Sequence, residues 1–205
     1  MGAVLFYVHD PMCSWCWAFR PTWLRIVEAL PETINYRLLL GGLAPDSGEA
    51  MPIELQQRLE DTWRAIERRV PGTVFNFAFW RQCRPRRSTY PACRAVIAAR
   101  KQGKEFEEPM ILGVQQAYYL QARNPSDDET LIAIAETLDL ALPRFATDLN
   151  SATTQAQLEQ EIRWGQLIGA RGFPSLVLET AAGYRLLDYD YLDPGVVLDR
   201  LENGV

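Results

Sequence analysis

Two cysteines set three residues apart, where a strand gives way to a helix, constrain this chain more than any other feature. The run from Ala3 to Val8 is apolar and of strand length, and it leads straight into Asp10-Pro11-Met12-Cys13-Ser14-Trp15-Cys16-Trp17. From there Cys16, Phe19, Trp23, Val27 and Leu30 recur at helical spacing. Both cysteines therefore fall on the first turn of a helix and face the same way at about 5–6 Å, a separation that a disulfide closes with little strain. Cys13 stands at the helix N-terminus, where unpaired backbone N–H groups and the positive end of the helix dipole favour thiolate over thiol. Cys13 is then the exposed, attacking sulfur and Cys16 the resolving one.

The same pair admits other readings. Half a zinc site would need two further Cys or His ligands. The candidates are Cys83, Cys93 and His9. The first two are ten residues apart and His9 precedes the motif on the strand, so no metal is expected. Two buried thiols without chemistry are the other alternative. Whether Cys83 and Cys93 pair with each other stays open.

Charge narrows the partners. The net charge of −5 offers no attraction to nucleic acid or to an anionic membrane, and the basic run 81–87 reads as solvated loop. No stretch approaches the roughly 20 apolar residues that span a bilayer. Residues 1–8 lack a basic region and a cleavage pattern, so they do not resemble a signal peptide, and a cytoplasmic protein is expected. In a reducing compartment two spaced cysteines are more often catalytic than structural.

Along the chain, Pro21 lies inside the first helix, where it should kink it, and Pro31 marks its end. A strand at Ile34 to Leu40 completes a βαβ unit with parallel strands. Residues 44–153 are then almost wholly helical in pattern. Pro52 suits a first helical position before the stripe Leu55, Leu59, Trp63, Ile66 and Val70. The aromatic piece from Val74 to Trp80 reads as packing or as a substrate-facing wall. Helices are expected at 90–102, 106–123, 142–149 and 154–168, and Ser126-Asp127-Asp128-Glu129 is a capping-box signature for one more. Strand patterning resumes at 175–179 and 184–188 across a short loop, and Asp193-Pro194 caps a closing helix. The pattern predicts an α/β domain of residues 1–43 and 154–205 interrupted by an inserted helical domain, 44–153.

A C-x-x-C opening the first helix, a βαβ unit, a long helical block, then an X-Pro followed at once by an antiparallel pair and a helix: this order resembles the thioredoxin fold with the large all-helical insertion of the DsbA family. Within it, Asp10-Pro11-Met12-Cys13-Ser14-Trp15-Cys16-Trp17 is most similar to the FrnE-like branch of cytoplasmic dithiol-disulfide isomerases. The resemblance implies a thiol-disulfide oxidoreductase or isomerase with Cys13 as nucleophile, Cys16 as resolving cysteine and Pro174 as a cis-proline beside the disulfide. Phe173, Pro174 and Trp15 would border the substrate, and His9 and Ser14 are auxiliary candidates. His9 would shuttle a proton or simply end a strand, and Asp10 would cap the helix. One of Trp15 and Trp17 would shield the disulfide while the other enters the core. No bound cofactor is implied, with glutathione or a thioredoxin-type donor as redox partner and a disulfide-containing protein or small thiol as substrate. Ser14-Trp15 stands where strong oxidants of the family carry Pro-His, which implies a weaker oxidant. The rivals are a glutathione-dependent transferase or isomerase of the kappa or 2-hydroxychromene-2-carboxylate type, and a non-enzymatic redox-sensing binding module.

Overall fold

The computed structural model describes residues 3–202. The opening apolar run forms β1 (Ala3–His9), followed by α1 (Ser14–Glu28) and β2 (Ile34–Leu40). β1 and β2 pair in parallel, from Ala3 with Ile34 to His9 with Leu40, so α1 is the crossover of a βαβ unit. α1 runs on through Pro21, which lies on its exposed side, and ends at Glu28, short of Pro31. Later in the chain β3 (Ser175–Thr180) and β4 (Gly183–Leu187) form a hairpin whose tight turn, Ala181-Ala182, passes into Gly183 at φ +115°. β3 lies antiparallel to β1 with Ser175 opposite Val8, and the sheet order is β2-β1-β3-β4.

β1 is bonded on both sides and covered on both faces, which is why it is apolar almost without interruption. Alternation sends Leu5 and Tyr7 to one face and Phe6 and Val8 to the other. On the first face they pack with Phe19, Trp23 and Ile26 of α1 and with Val197 and Leu201 of the closing helix α9 (Gly195–Glu202). Asp193 caps the approach to that helix through the Gly195 N–H, 2.8 Å. On the second face lie Leu39, Val177 and Ile168, the last following helix α8 (Ala152–Leu167), which Gly169 ends at φ +97°.

The chain divides into two compact units, one made of the chain up to Gly41 together with the chain from Glu161, the other of Gly42–Gln160. The second unit carries α2 (Ile53–Arg69), α3 (Phe79–Gln82), α4 (Tyr90–Arg100), α5 (Glu107–Tyr119), α6 (Asp128–Thr137), α7 (Leu142–Leu149) and the first part of α8. Its aromatic stretch is packing: Phe75, Phe77, Phe79 and Trp80 close on Trp63, as do Tyr118 and Tyr119, with ring centroids 4.8–6.0 Å from the indole. Buried Arg94 ties three segments together, donating to both carboxylate oxygens of Asp46 at 2.7 and 2.9 Å, to Gln155 at 2.9 Å and to the Leu149 carbonyl at 3.1 Å.

Three local expectations are corrected. Pro52 is the N-cap of α2 rather than its first helical residue. α5 ends at Tyr119, because Ala122 turns into the left-handed region at φ 51° and the Arg123 N–H reaches back to the Ala117 carbonyl. The capping box does not form: Asp127 is the N-cap of α6 without a side-chain cap bond, since its carboxylate pairs with Arg86 at 2.7 Å and the Ser126 hydroxyl donates instead to the Ser88 carbonyl at 2.6 Å.

Candidate active site

Between β1 and α1 the chain makes a tight turn. The Asp10 carbonyl accepts the Cys13 N–H at 3.0 Å, and the buried Asp10 carboxylate accepts the Met12 N–H at 2.8 Å. Asp10 therefore caps this turn and not the helix, because its short side chain reaches the backbone two residues on. The helix N-cap is Cys13 itself. With extended φ −83° and ψ 115°, it turns its Sγ back to accept the Cys16 N–H at 3.4 Å, the position a serine or aspartate oxygen takes in an ordinary cap.

Residues 160 apart in the chain meet at this sulfur. Ser175 pairs with Val8, so the residues just before β3 lie beside those just after β1. The Phe173–Pro174 bond is cis, and the Phe173 carbonyl accepts from the Cys13 Sγ at 3.5 Å. The Phe173 ring turns the other way, into the cluster of Phe6, Val8, Leu39 and Val177. It covers Gly41 so closely that a Cβ there would come within 1.9 Å of the ring, which only glycine permits. What Phe173 turns toward Cys13 is its backbone carbonyl.

Both cysteines are unbonded and both are buried. Cys13 is 6% exposed and Cys16 0%, which corrects the expectation of an exposed Cys13: the cis-proline loop lies against its sulfur. Burial pushes the Cys16 thiol well above its ordinary range, reinforced by the hydrogen bond to Cys13 and by that residue's charge; a backbone bond at Asp10 pulls downward and the Asp10 carboxylate pushes upward.

Three tyrosines that patterning did not single out surround the pair. Tyr7 is buried on the face of β1 that packs against α1, and burial first, then the charges of Cys16 and Cys13, push its phenol well above the usual range. The Tyr189 hydroxyl donates to the Pro174 carbonyl at 3.2 Å. Tyr191 bonds Tyr189 and is pushed above the usual phenol range by burial first and then by that bond and by the charges of Tyr189, Cys13 and Cys16. Its ring lies 5.1 Å from that of Trp15. The alternation of β1 would have placed Tyr7 under the motif, whereas nothing local signals Tyr189 and Tyr191, which the chain delivers after the hairpin.

The remaining candidates fall as follows. Trp15 and Trp17 are each half-buried, so neither enters the core, and Phe19 and Trp23 fill that place. His9 is buried at the end of β1, its ring stacked on Tyr7 at 4.9 Å and its carbonyl accepting the Gly41 N–H at 2.7 Å. Ser14 is the first residue of α1. Cys83 and Cys93 lie in the other unit, unbonded; Cys83 donates to the Ala122 carbonyl at 3.0 Å, and burial raises its thiol, with the Asp127 charge adding.

A family model described as thioredoxin matches residues 6–190. The chain belongs to the thioredoxin family. Within that family its backbone is similar to those of DsbA-like proteins. A candidate protein disulfide isomerase of Nitrosomonas europaea superposes with a TM-score of 0.85 at 23% identity, covering 100% of both chains. DsbM of Pseudomonas aeruginosa, described as a cytosolic disulfide reductase, superposes at 0.75 with 22% identity over 98% of this chain and 94% of that one, and is also known in a structure with glutathione. In sequence, the ClpXP adapter protein SpxH of Bacillus subtilis is 25% identical over 160 residues, 78% of this chain and 52% of SpxH. The chain thus spans about half the length of that relative. The thioredoxin fold with a helical insertion is the one the order of elements predicts, and no helix among the described residues is long and apolar enough to cross a membrane.

Proposed function

We propose that the protein exchanges thiols and disulfides through Cys13 and Cys16. The observation that carries this reading is the setting of the Cys13 sulfur, which caps a helix N-terminus, accepts the Cys16 N–H and lies 3.5 Å from a carbonyl of the cis-proline loop. In the forward direction the Cys13 thiolate attacks one sulfur of a substrate disulfide, forming a mixed disulfide and expelling the other sulfur as thiolate. Cys16 then loses its proton and attacks the Cys13 sulfur. The second substrate thiolate leaves, and the pair is oxidised as the substrate is reduced. As an isomerase the protein would share the first step and let the substrate's own thiol resolve it. The backbone around Phe173 and Pro174 would hold an extended substrate by main-chain bonds, which tolerate varied side chains.

Returning the pair to dithiol needs a donor. The DsbM structure with glutathione supports a small thiol in that role, and that protein's description as cytosolic supports work in a reducing compartment. The naming of SpxH as a ClpXP adapter favours one second reading, in which the cysteine pair gates the binding of a protein partner.

The test rests on asymmetry. Cys16→Ser should trap substrates as mixed disulfides stable on non-reducing gels, and Cys13→Ser should trap few, with the double variant as background. Equal trapping by the two single variants, or none above background, would overturn thiol exchange. Catalysed reduction of insulin or glutathione disulfide by the unaltered protein should accompany the trap, and its absence would favour the adapter reading.

A further inference from the structure

The loop that faces Cys13 is fastened at three points. The Phe173 ring is seated over Gly41, the Ser175 hydroxyl donates to the Gly172 carbonyl at 2.8 Å while Ser175 pairs with Val8, and the Tyr189 hydroxyl donates to the Pro174 carbonyl at 3.2 Å. Pro174 is buried and lacks an N–H, so the carbonyl is the single backbone group by which a hydrogen bond can hold it.

The first two fastenings tie the loop to the sheet. The third reaches elsewhere, because Tyr189 lies two residues beyond β4 and packs its ring on Phe19 of α1, with centroids 4.9 Å apart, and on Tyr191 at 5.6 Å. Tyr191 is fixed to the same helix: its carbonyl accepts the Thr22 hydroxyl at 2.5 Å, and its ring lies 5.1 Å from Trp15 and 5.9 Å from Phe19. Tyr189 therefore bridges the helix that begins at the cysteines and the loop whose Phe173 carbonyl lies 3.5 Å from the Cys13 sulfur. Water could satisfy the Pro174 carbonyl as well as a phenol does, but it would not tie the loop to α1.

We infer that Tyr189 is a positioning residue for polypeptide substrates: by holding the Pro174 carbonyl it sets the backbone at Phe173 and Pro174 where an extended main chain can bond to it while the substrate disulfide meets the Cys13 sulfur. It acts through the loop and touches no reacting atom. A disulfide without peptide groups gains nothing from that alignment, so Tyr189 separates polypeptide from small disulfides. The inference rests on the thiol-exchange reading and adds to it the class of substrate that the bridge favours.

Insulin reduction with dithiothreitol as the reductant gives KM and kcat for a polypeptide disulfide. The first release of thionitrobenzoate from Ellman's reagent gives the rate at Cys13 with a disulfide that has no peptide group. A Cys83→Ser background removes the thiol of the other unit that is not fully buried. In Tyr189→Phe, which keeps the packed ring, KM for insulin should rise about three- to tenfold, the weight of one neutral hydrogen bond, with kcat and the Ellman rate within about twofold of the parent. Replacement of Tyr189 by 3-fluorotyrosine, which keeps the donor, should hold KM at the parent value. An unchanged KM in Tyr189→Phe, an equal loss with Ellman's reagent, or a raised KM in the fluorotyrosine protein would overturn the role of Tyr189. A Tyr189→Phe chain that does not fold would assign the bond to stability alone and overturn that role too. Failure of the parent with both insulin and Ellman's reagent would instead overturn thiol exchange, and the inference with it, whereas failure with insulin alone would overturn the inference and leave exchange on small disulfides standing.

Discussion

At the scale of single residues, the site depends on side chains that could not be replaced by near equivalents. Gly41 is one: the Phe173 ring occupies the volume of any Cβ. Gly41→Ala should displace the ring and draw the Phe173 carbonyl from Cys13, costing about 1–3 kcal/mol by overpacking. Urea denaturation reads the cost, and a parallel fall in insulin reduction reads the displacement. Cys16 carries a pH signature. Its folded-state value is raised, so the native reduced protein retains a proton that the unfolded chain releases once the pH passes the ordinary thiol value of about 8.5. Stability from this group is complete below that pH and is lost as the pH climbs toward the raised value. Unfolding free energies of the reduced protein should therefore fall as the pH rises above about 8.5, and Cys16→Ser should show a shallower fall. Identical slopes would contradict the shift. Tyr7, raised for related reasons, adds its own loss only above about pH 10.

At the scale of elements, periodicity located most helices and strands, while their ends were settled by bonds that no local pattern contains. The junction of α5 and α6 shows this. Ser126 has the spacing of a cap, but the chain brings it to Ser88, 38 residues away, and the hydroxyl spends its bond there. Ser126→Ala should cost about 1–3 kcal/mol, because it leaves the buried Ser88 carbonyl without this partner. Asp127→Asn, which weakens a half-exposed ion pair with Arg86, should cost under about 1 kcal/mol. Chemical denaturation of both variants checks the order, and a larger cost at Asp127 would restore a capping role. The helix N-terminus at Cys13 is the opposite case, where a local pattern sufficed: the residue that the spacing marked as reactive is also the one that caps the helix.

At the scale of the whole molecule, each unit has a centre of its own, and the helical one is aromatic. Six rings close on Trp63, so Trp63→Ala should leave a cavity and cost about 3–5 kcal/mol, read as an early denaturation midpoint. A loss below about 1 kcal/mol would mean the rings collapse to refill the space. The sequence by itself determined the βαβ opening, the helical block and the hairpin, because each is written in a local period of apolar residues and in the glycines and prolines that interrupt it. It also determined where two thiols would meet, since three residues on a helical turn leave no other geometry. Only the tertiary structure decided what surrounds them. The carbonyl at Cys13 and the ring over Gly41 are set by strand register and by closure of the sheet across more than 100 residues. Such contacts leave no period in the sequence, because they depend on which face of a distant strand comes to lie against the motif.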